Sequence, residues 1–215
     1  MSSTTINIPL YQADAFTRKP FGGNPAAVCP LAEWLTDEQM QHIAMENNLS
    51  ETAFIVKEQE GYRIRWFTPS VEVDLCGHAT LAAAHVFFRH LGYAGDSITF
   101  QSKSGRLTVT QKTNGQLTLD FPADHFKKVD DPPAAIAEGL GIAVKEVYRG
   151  KFDYMAIADS QQVIEALRPD FKKIATLKSR GILVTAKGNS SDFVSRCFFP
   201  QSGIDEDPVT GSAHT

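Results

Sequence analysis

The chain repeats itself. Arg65-Trp66-Phe67-Thr68-Pro69 leads through an acidic stretch to Cys76-Gly77-His78-Ala79-Thr80, and Arg196-Cys197-Phe198-Phe199-Pro200 leads through a second acidic stretch to Thr210-Gly211-Ser212-Ala213-His214-Thr215. The Arg-to-Gly separation is 12 residues in the first copy and 15 in the second. Three extra residues therefore interrupt two otherwise parallel units of strand, loop and helix start. One such pattern alone is weak, but its recurrence constrains the chain to two similar halves.

The rest of the pattern fills those halves. Short β-type runs fall at residues 5–16, 26–29, 52–57, 62–67, 98–101, 105–111 and 116–121, and Asn114-Gly115 marks a tight hairpin. A first helix is predicted from about Asp37 to Asn48, with Thr36 and Gln39 as a capping box and Met40, Ile43 and Ala44 inward. The second, His78-Ala-Thr-Leu-Ala-Ala-Ala-His-Val-Phe-Phe-Arg-His-Leu-Gly92, is apolar nearly all round, so strands must wrap it. The polar, proline-bearing stretch from Lys127 to Pro133 reads as the boundary between halves at 1–125 and 130–215. Beyond it, helical patterns near 133–140, 160–167 and 170–177 mix with strands near 145–149, 152–158, 181–186 and 193–199.

Composition removes several function classes. A net charge of −4 gives no basic excess for phosphates, so nucleic acid is not expected as a partner. No basic, apolar leader or membrane-length apolar run occurs, which reads as a cytoplasmic protein without a membrane partner. Cys29, Cys76 and Cys197 are too few and too widely spaced for a disulfide framework or a zinc site, and the six histidines show no paired ligand spacing. Phe21-Gly22-Gly23-Asn24-Pro25 lacks the lysine of a phosphate loop. No metal and no cofactor are expected.

Several residues sit where chemistry could be done. Glu51 opens the strand after the first helix, where a carboxylate either meets solvent or projects into a cleft. Gly77 and Gly211 precede helix starts, whose unpaired N–H groups suit a substrate carboxylate or a developing enolate; a single such glycine would mean only a tight turn. The repeat places His78 and Ser212 on corresponding first turns, although lone residues of these types are mostly caps. Asp207 before Pro208 reads as a turn former within the inserted segment, and Asn24 as a turn residue able to touch ligand.

At Asp14 to Val28 (DAFTRKPFGGNPAAV), Asn48 to Val56 (NLSETAFIV), Arg65 to Thr80 (RWFTPSVEVDLCGHAT) and Glu206 to Thr215 (EDPVTGSAHT), the sequence resembles the phenazine-biosynthesis, or PhzF-like, isomerase family. The resemblance implies an α+β fold of the diaminopimelate epimerase type. Two pseudo-symmetric halves are then expected, each a barrel-like, mostly antiparallel sheet around a central helix, with a small carboxylic acid bound between them. It implies Glu51 as the proton-transferring residue, Asp207 as a second acid/base, and His78, Gly77, Gly211, Ser212, Asn24 and Cys76 as site residues. A partly desolvated Glu51 could take and return a proton near neutrality.

The resemblance leaves a homodimer open. Related epimerases of this fold place one cysteine before each motif glycine, and here the pair is Cys76 and Thr210, which disfavours a two-thiol racemase. The alternatives are a Cys/Thr-type epimerase or dehydratase, or a protein that binds small acids without turnover. The second half stops four residues after Gly211, so it is expected to be truncated, with the chain a piece of a longer protein and Thr215 beside Glu51 and His78.

Overall fold

The computed structural model describes residues 6–59 and 61–214. It divides into two units, one up to Phe121 and one from Pro122 onward. Among the described residues of the first unit the order is β1 (Tyr11–Ala15), β2 (Asn24–Leu31), α1 (Asp37–Asn47), β3 (Glu51–Glu58), β4 (Gly61–Phe67), β5 (Glu72–Val73), α2 (Gly77–Arg89), β6 (Ser97–Ser102), β7 (Gly105–Gln111) and β8 (Leu117–Asp120). The sheet runs β1-β2-β3-β4-β6-β7-β8, with β5 beside β4. Its pairs are antiparallel except β2 with β3 and β4 with β6.

α2 packs against β1, β2 and β3 near one edge of this sheet and β7 and β8 at the other, so the sheet curls around it. That is why the helix needs no polar face: Ala79, Ala82, Ala83, Val86 and Phe87 all lie in the core with Ala53, Ile55, Trp66, Ile98 and Val109. β3 does not alternate because its other face is covered too. Phe54 packs with Cys29, Met40, Ala44 and Phe67 under α1. Both halves of the predicted Thr36–Gln39 capping box form, and α1 closes on Asn48 in the left-handed region at φ 49°.

Two local expectations change. β1 starts at Tyr11; Ile6 to Leu10 form no strand, Pro9 having no N–H to add to a ladder, and residue 5 lies outside the described residues. The tight hairpin expected at Asn114-Gly115 forms between β7 and β8, but with a three-residue loop: the Lys112 N–H bonds the Gln116 carbonyl, the Gly115 N–H bonds the Lys112 carbonyl, and only the glycine has positive φ, 78°. A two-residue primed turn would need both central residues there.

The second unit is a six-stranded sheet in the order β14-β13-β12-β11-β10-β9. Its elements are β9 (Lys127–Lys128), α3 (Ala134–Leu140), β10 (Glu146–Arg149), β11 (Asp153–Ile157), α4 (Gln161–Ala166), α5 (Phe171–Ile174), β12 (Gly181–Lys187), β13 (Phe193–Phe199) and β14 (Ile204–Asp207). Lys127 and Lys128, within the stretch read as a linker, thus form the edge strand beside β10. Ile136, Leu140, Ile164, Leu167 and Ile174 cover one face with Val184 and Phe198. The other face carries Leu183, Cys197 and Phe199, packed with Ala213. Gly211–His214 is a single 3-10 turn.

Candidate functional site

The repeat has a physical form beyond its glycines. Arg65 donates from Nε and Nη2 to the two Glu72 carboxylate oxygens at 2.7 and 2.9 Å. Arg196 does the same to Glu206 at 2.7 and 2.7 Å. Each guanidinium also lies 5.2 Å from the ring centre of the phenylalanine two residues later, Phe67 or Phe198. In both units this acid is five residues before the glycine. The fork ties the strand that enters the loop to the strand that leaves it, fixing where the glycine turn begins.

This correspondence moves Asp207. Trp66 pairs with Val73 and Cys197 with Asp207, so Asp207 matches Val73 on equivalent strands, and the three extra residues lie earlier, around the 3-10 turn Pro200–Ser202 and Gly203. Asp207 is therefore a strand residue and not part of an inserted turn. Asn24 is corrected in the same way: it is fully buried as the first residue of β2, paired with Ala15.

In the first unit the start of β3 and the start of α2 bring three candidates together. Glu51, Cys76 and His78 each offer a donor atom within 4.8 Å of the others. His78 Nε2 lies 3.4 Å from Glu51 Oε2, and Cys76 Sγ lies 3.5 Å from His78 Nδ1. The His78 side chain is 4% exposed and that of Glu51 14%, so the glutamate is neither solvated nor sealed. Burial pushes His78 down to about 4, with the hydrogen bond to the Pro25 backbone acting in the opposite direction. At neutral pH the Glu51 contact is thus with a neutral imidazole, although at 3.4 Å it has the spacing of an ion pair.

Cys76 is the N-cap of α2 but makes no side-chain cap bond, which leaves the helix start to other partners. The helix dipole makes that end a place for negative charge. Gly77 has a close-packing reason as well: a Cβ there would come within 3.3 Å of the Phe121 ring. A cavity of about 380 Å³ lined by Tyr62, Phe87, Leu91 and Tyr93 lies toward the other end of α2 and shares no residue with this cluster.

In the second unit Thr210 Oγ1 donates to Asp207 Oδ2 at 2.5 Å, and Thr210 also bonds Cys197. Ser212 accepts from Arg180 Nη2 at 3.1 Å. Arg180 is itself held in a two-pronged pair with the buried Asp153 and lies 5.7 and 5.2 Å from the ring centres of Phe152 and Phe199. Nothing in the sequence pattern points to Arg180 and Asp153, which lie outside the repeated motif and come to Ser212 only through the folded sheet. Thr215 lies outside the described residues.

The family model described as phenazine biosynthesis-like protein matches residues 13–215. The chain belongs to that family. An uncharacterized isomerase of Pseudomonas aeruginosa is 51% identical over 210 residues, which is 98% of this chain and 80% of that protein. A crystal structure of a PhzF-family phenazine biosynthesis protein from Enterococcus faecalis matches with a TM-score of 0.86 at 46% identity, over 97% of this chain and 80% of that one. A probable proline racemase from Agrobacterium radiobacter matches with a TM-score of 0.54 at 10% identity over 86% of this chain and 70% of that one, which extends the likeness of fold to that racemase. Among the described residues no helix is long and apolar enough to cross a membrane.

Proposed function

We propose that this PhzF-type isomerase moves a proton next to the carboxylate of a small organic acid, with Glu51 as the acid/base and no cofactor. The observation that carries the reading is the Glu51–His78 contact of 3.4 Å beside the start of α2. A half-withdrawn carboxyl group can accept a proton and return it. The neutral imidazole of His78 supplies a hydrogen-bond donor or acceptor without adding charge, and the N–H groups that open α2 favour the negative charge that develops when a C–H bond adjacent to a carboxylate is broken. Gly77 lets the helix start pack against the Phe121 ring and takes part in substrate binding through its backbone. Asn24 and Cys76 contribute to substrate binding; in the second unit Asp207 is the second carboxylate, and Gly211 and Ser212 bind substrate.

Small acids that raise the thermal stability of the protein are the substrates to try first. Wild-type protein should incorporate solvent deuterium into such an acid, and Glu51→Gln should abolish incorporation while leaving the thermal shift in place. Incorporation that survives Glu51→Gln removes the glutamate assignment. The Cys76–His78 contact of 3.5 Å favours one competing reading, a thiol-based epimerase, in which Cys76→Ser is the variant that stops exchange.

A further inference from the structure

The residues of the first unit that hold the proposed acid/base also make a set of metal donors. We propose that Glu51, Cys76 and His78 form a binding site for a thiophilic divalent cation, zinc above all, and that an ion held there shuts the proton-transfer site. The binding claim rests on geometry alone; the inhibition rests on the function proposed above.

The donor set is a thiol, an imidazole and a carboxylate, one from each residue, mutually within 4.8 Å. Three protein ligands with a fourth position open is the usual arrangement of a reactive zinc site. Donors on a tetrahedral zinc stand about 3.3–3.8 Å apart, given bond lengths of about 2.0–2.3 Å. The Cys76–His78 separation of 3.5 Å already falls in that range. The Glu51 carboxylate lies 3.4 Å from the other ring nitrogen, Nε2, so only one of these two separations serves a given ion. The ion would use one ring nitrogen, and closing the widest pair requires about an ångström of side-chain movement, within the reach of the three torsions of a glutamate.

Charge and softness select the ion. A thiolate with a carboxylate brings two negative charges against two positive ones, and the sulfur and nitrogen donors disfavour magnesium and calcium, which take oxygen shells. The scaffold is already rigid, since Glu51 begins β3 while Cys76 and His78 sit at the start of the strand-wrapped α2. The spacing that made the histidines unpromising as ligands was a spacing between histidines; the set forms instead from a Cys-x-His step and a distant glutamate.

Cobalt(II) is the probe, because a thiolate ligand gives it a near-ultraviolet charge-transfer band and a tetrahedral shell gives intense visible bands. Titration of the metal-stripped protein should develop both with one equivalent, and zinc should displace them. Cys76→Ser should remove the charge-transfer band and weaken cobalt binding at least about 100-fold, while Cys197→Ser should retain both. His78→Gln should weaken binding yet keep the sulfur band. No band in folded wild-type protein, or a band that persists in Cys76→Ser, overturns the site. Zinc should also block deuterium exchange, reversibly with a chelator. If cobalt binds as described and exchange continues, the metal site stands and the placing of proton transfer at Glu51 falls.

Discussion

His78 makes the acid stability of the first unit a direct test of the site. Its folded value of about 4 against an ordinary 6.5 means that below about pH 6.5 the unfolded chain takes up a proton that the native one refuses. Stability is therefore unaffected by this group above that pH and declines as pH falls. At about 1.4 kcal/mol per pH unit the full loss is about 3 kcal/mol, of which about 2 are gone by pH 5. The groups facing the ring are the Glu51 carboxyl, the Cys76 thiol and the Pro25 carbonyl, and only a charged Glu51 could reverse the sign. His78→Gln removes the titration. Urea unfolding followed by tryptophan fluorescence isolates the right unit, since both tryptophans, Trp34 and Trp66, lie in it. With a chelator present, the stability difference between wild type and variant should shift against wild type by about 2 kcal/mol between about pH 7.5 and about pH 5. Glu72 and His85, also held below their ordinary values, remain in both proteins and cancel. A difference that does not move with pH, or one that grows in favour of wild type as pH falls, refutes a neutral buried imidazole.

Two further outcomes follow from backbone and clamp geometry. Gly23→Ala places a Cβ 1.9 Å from the Ala15 carbonyl oxygen at φ 64° and should cost more than about 3 kcal/mol or prevent folding, whereas Gly92→Ala, at φ 67° with nothing within 4 Å, should cost about 1 kcal/mol by the same urea assay. Glu72→Gln should cost about 1–3 kcal/mol and Glu206→Gln, in the more exposed fork, under about 1 kcal/mol, and each should raise amide exchange locally, in β4 and β5 for the first and in β13 and β14 for the second; protection lost evenly across the chain would mean that the clamps are not local.

The frame was legible because it rests on patterns that tertiary context does not override. The all-round apolar α2 demanded a wrapping sheet, and Thr36 with Gln39 demanded a helix start. The site was legible only where it coincides with the repeat. Gly77, Cys76 and His78 are visible in a line of sequence; Glu51 reaches them because β3 lies next to β2 and β4, a pairing that no local signal carries. Asparagine and aspartate next to proline favour turns, but strand pairing takes both Asn24 and Asp207. The Arg–Glu forks are hidden in the sequence because the insertion offsets Glu72 and Glu206 when the two copies are counted from the arginine, and they align only when counted back from the glycine.

Aligned that way, the two units share a scaffold and differ in its chemistry. Arg65 matches Arg196, Phe67 matches Phe198 and Glu72 matches Glu206, and these residues build the fork. The positions that follow diverge: Val73 against Asp207, Cys76 against Thr210 and His78 against Ser212. Where the first unit brings its carboxylate from the start of a different strand, β3, the second carries one on β14 itself, hydrogen-bonded to the threonine that replaces the thiol. A symmetric pair of bases would call for the same side chain at matching positions. A structural relic would let both sets drift to inert residues. Neither description fits two clamps of the same geometry that present a Glu-Cys-His group in one unit and an Asp-Thr-Ser group in the other. The pattern is that of one clamp used twice, fixing two glycine turns alike while the side chains that follow it differ from unit to unit.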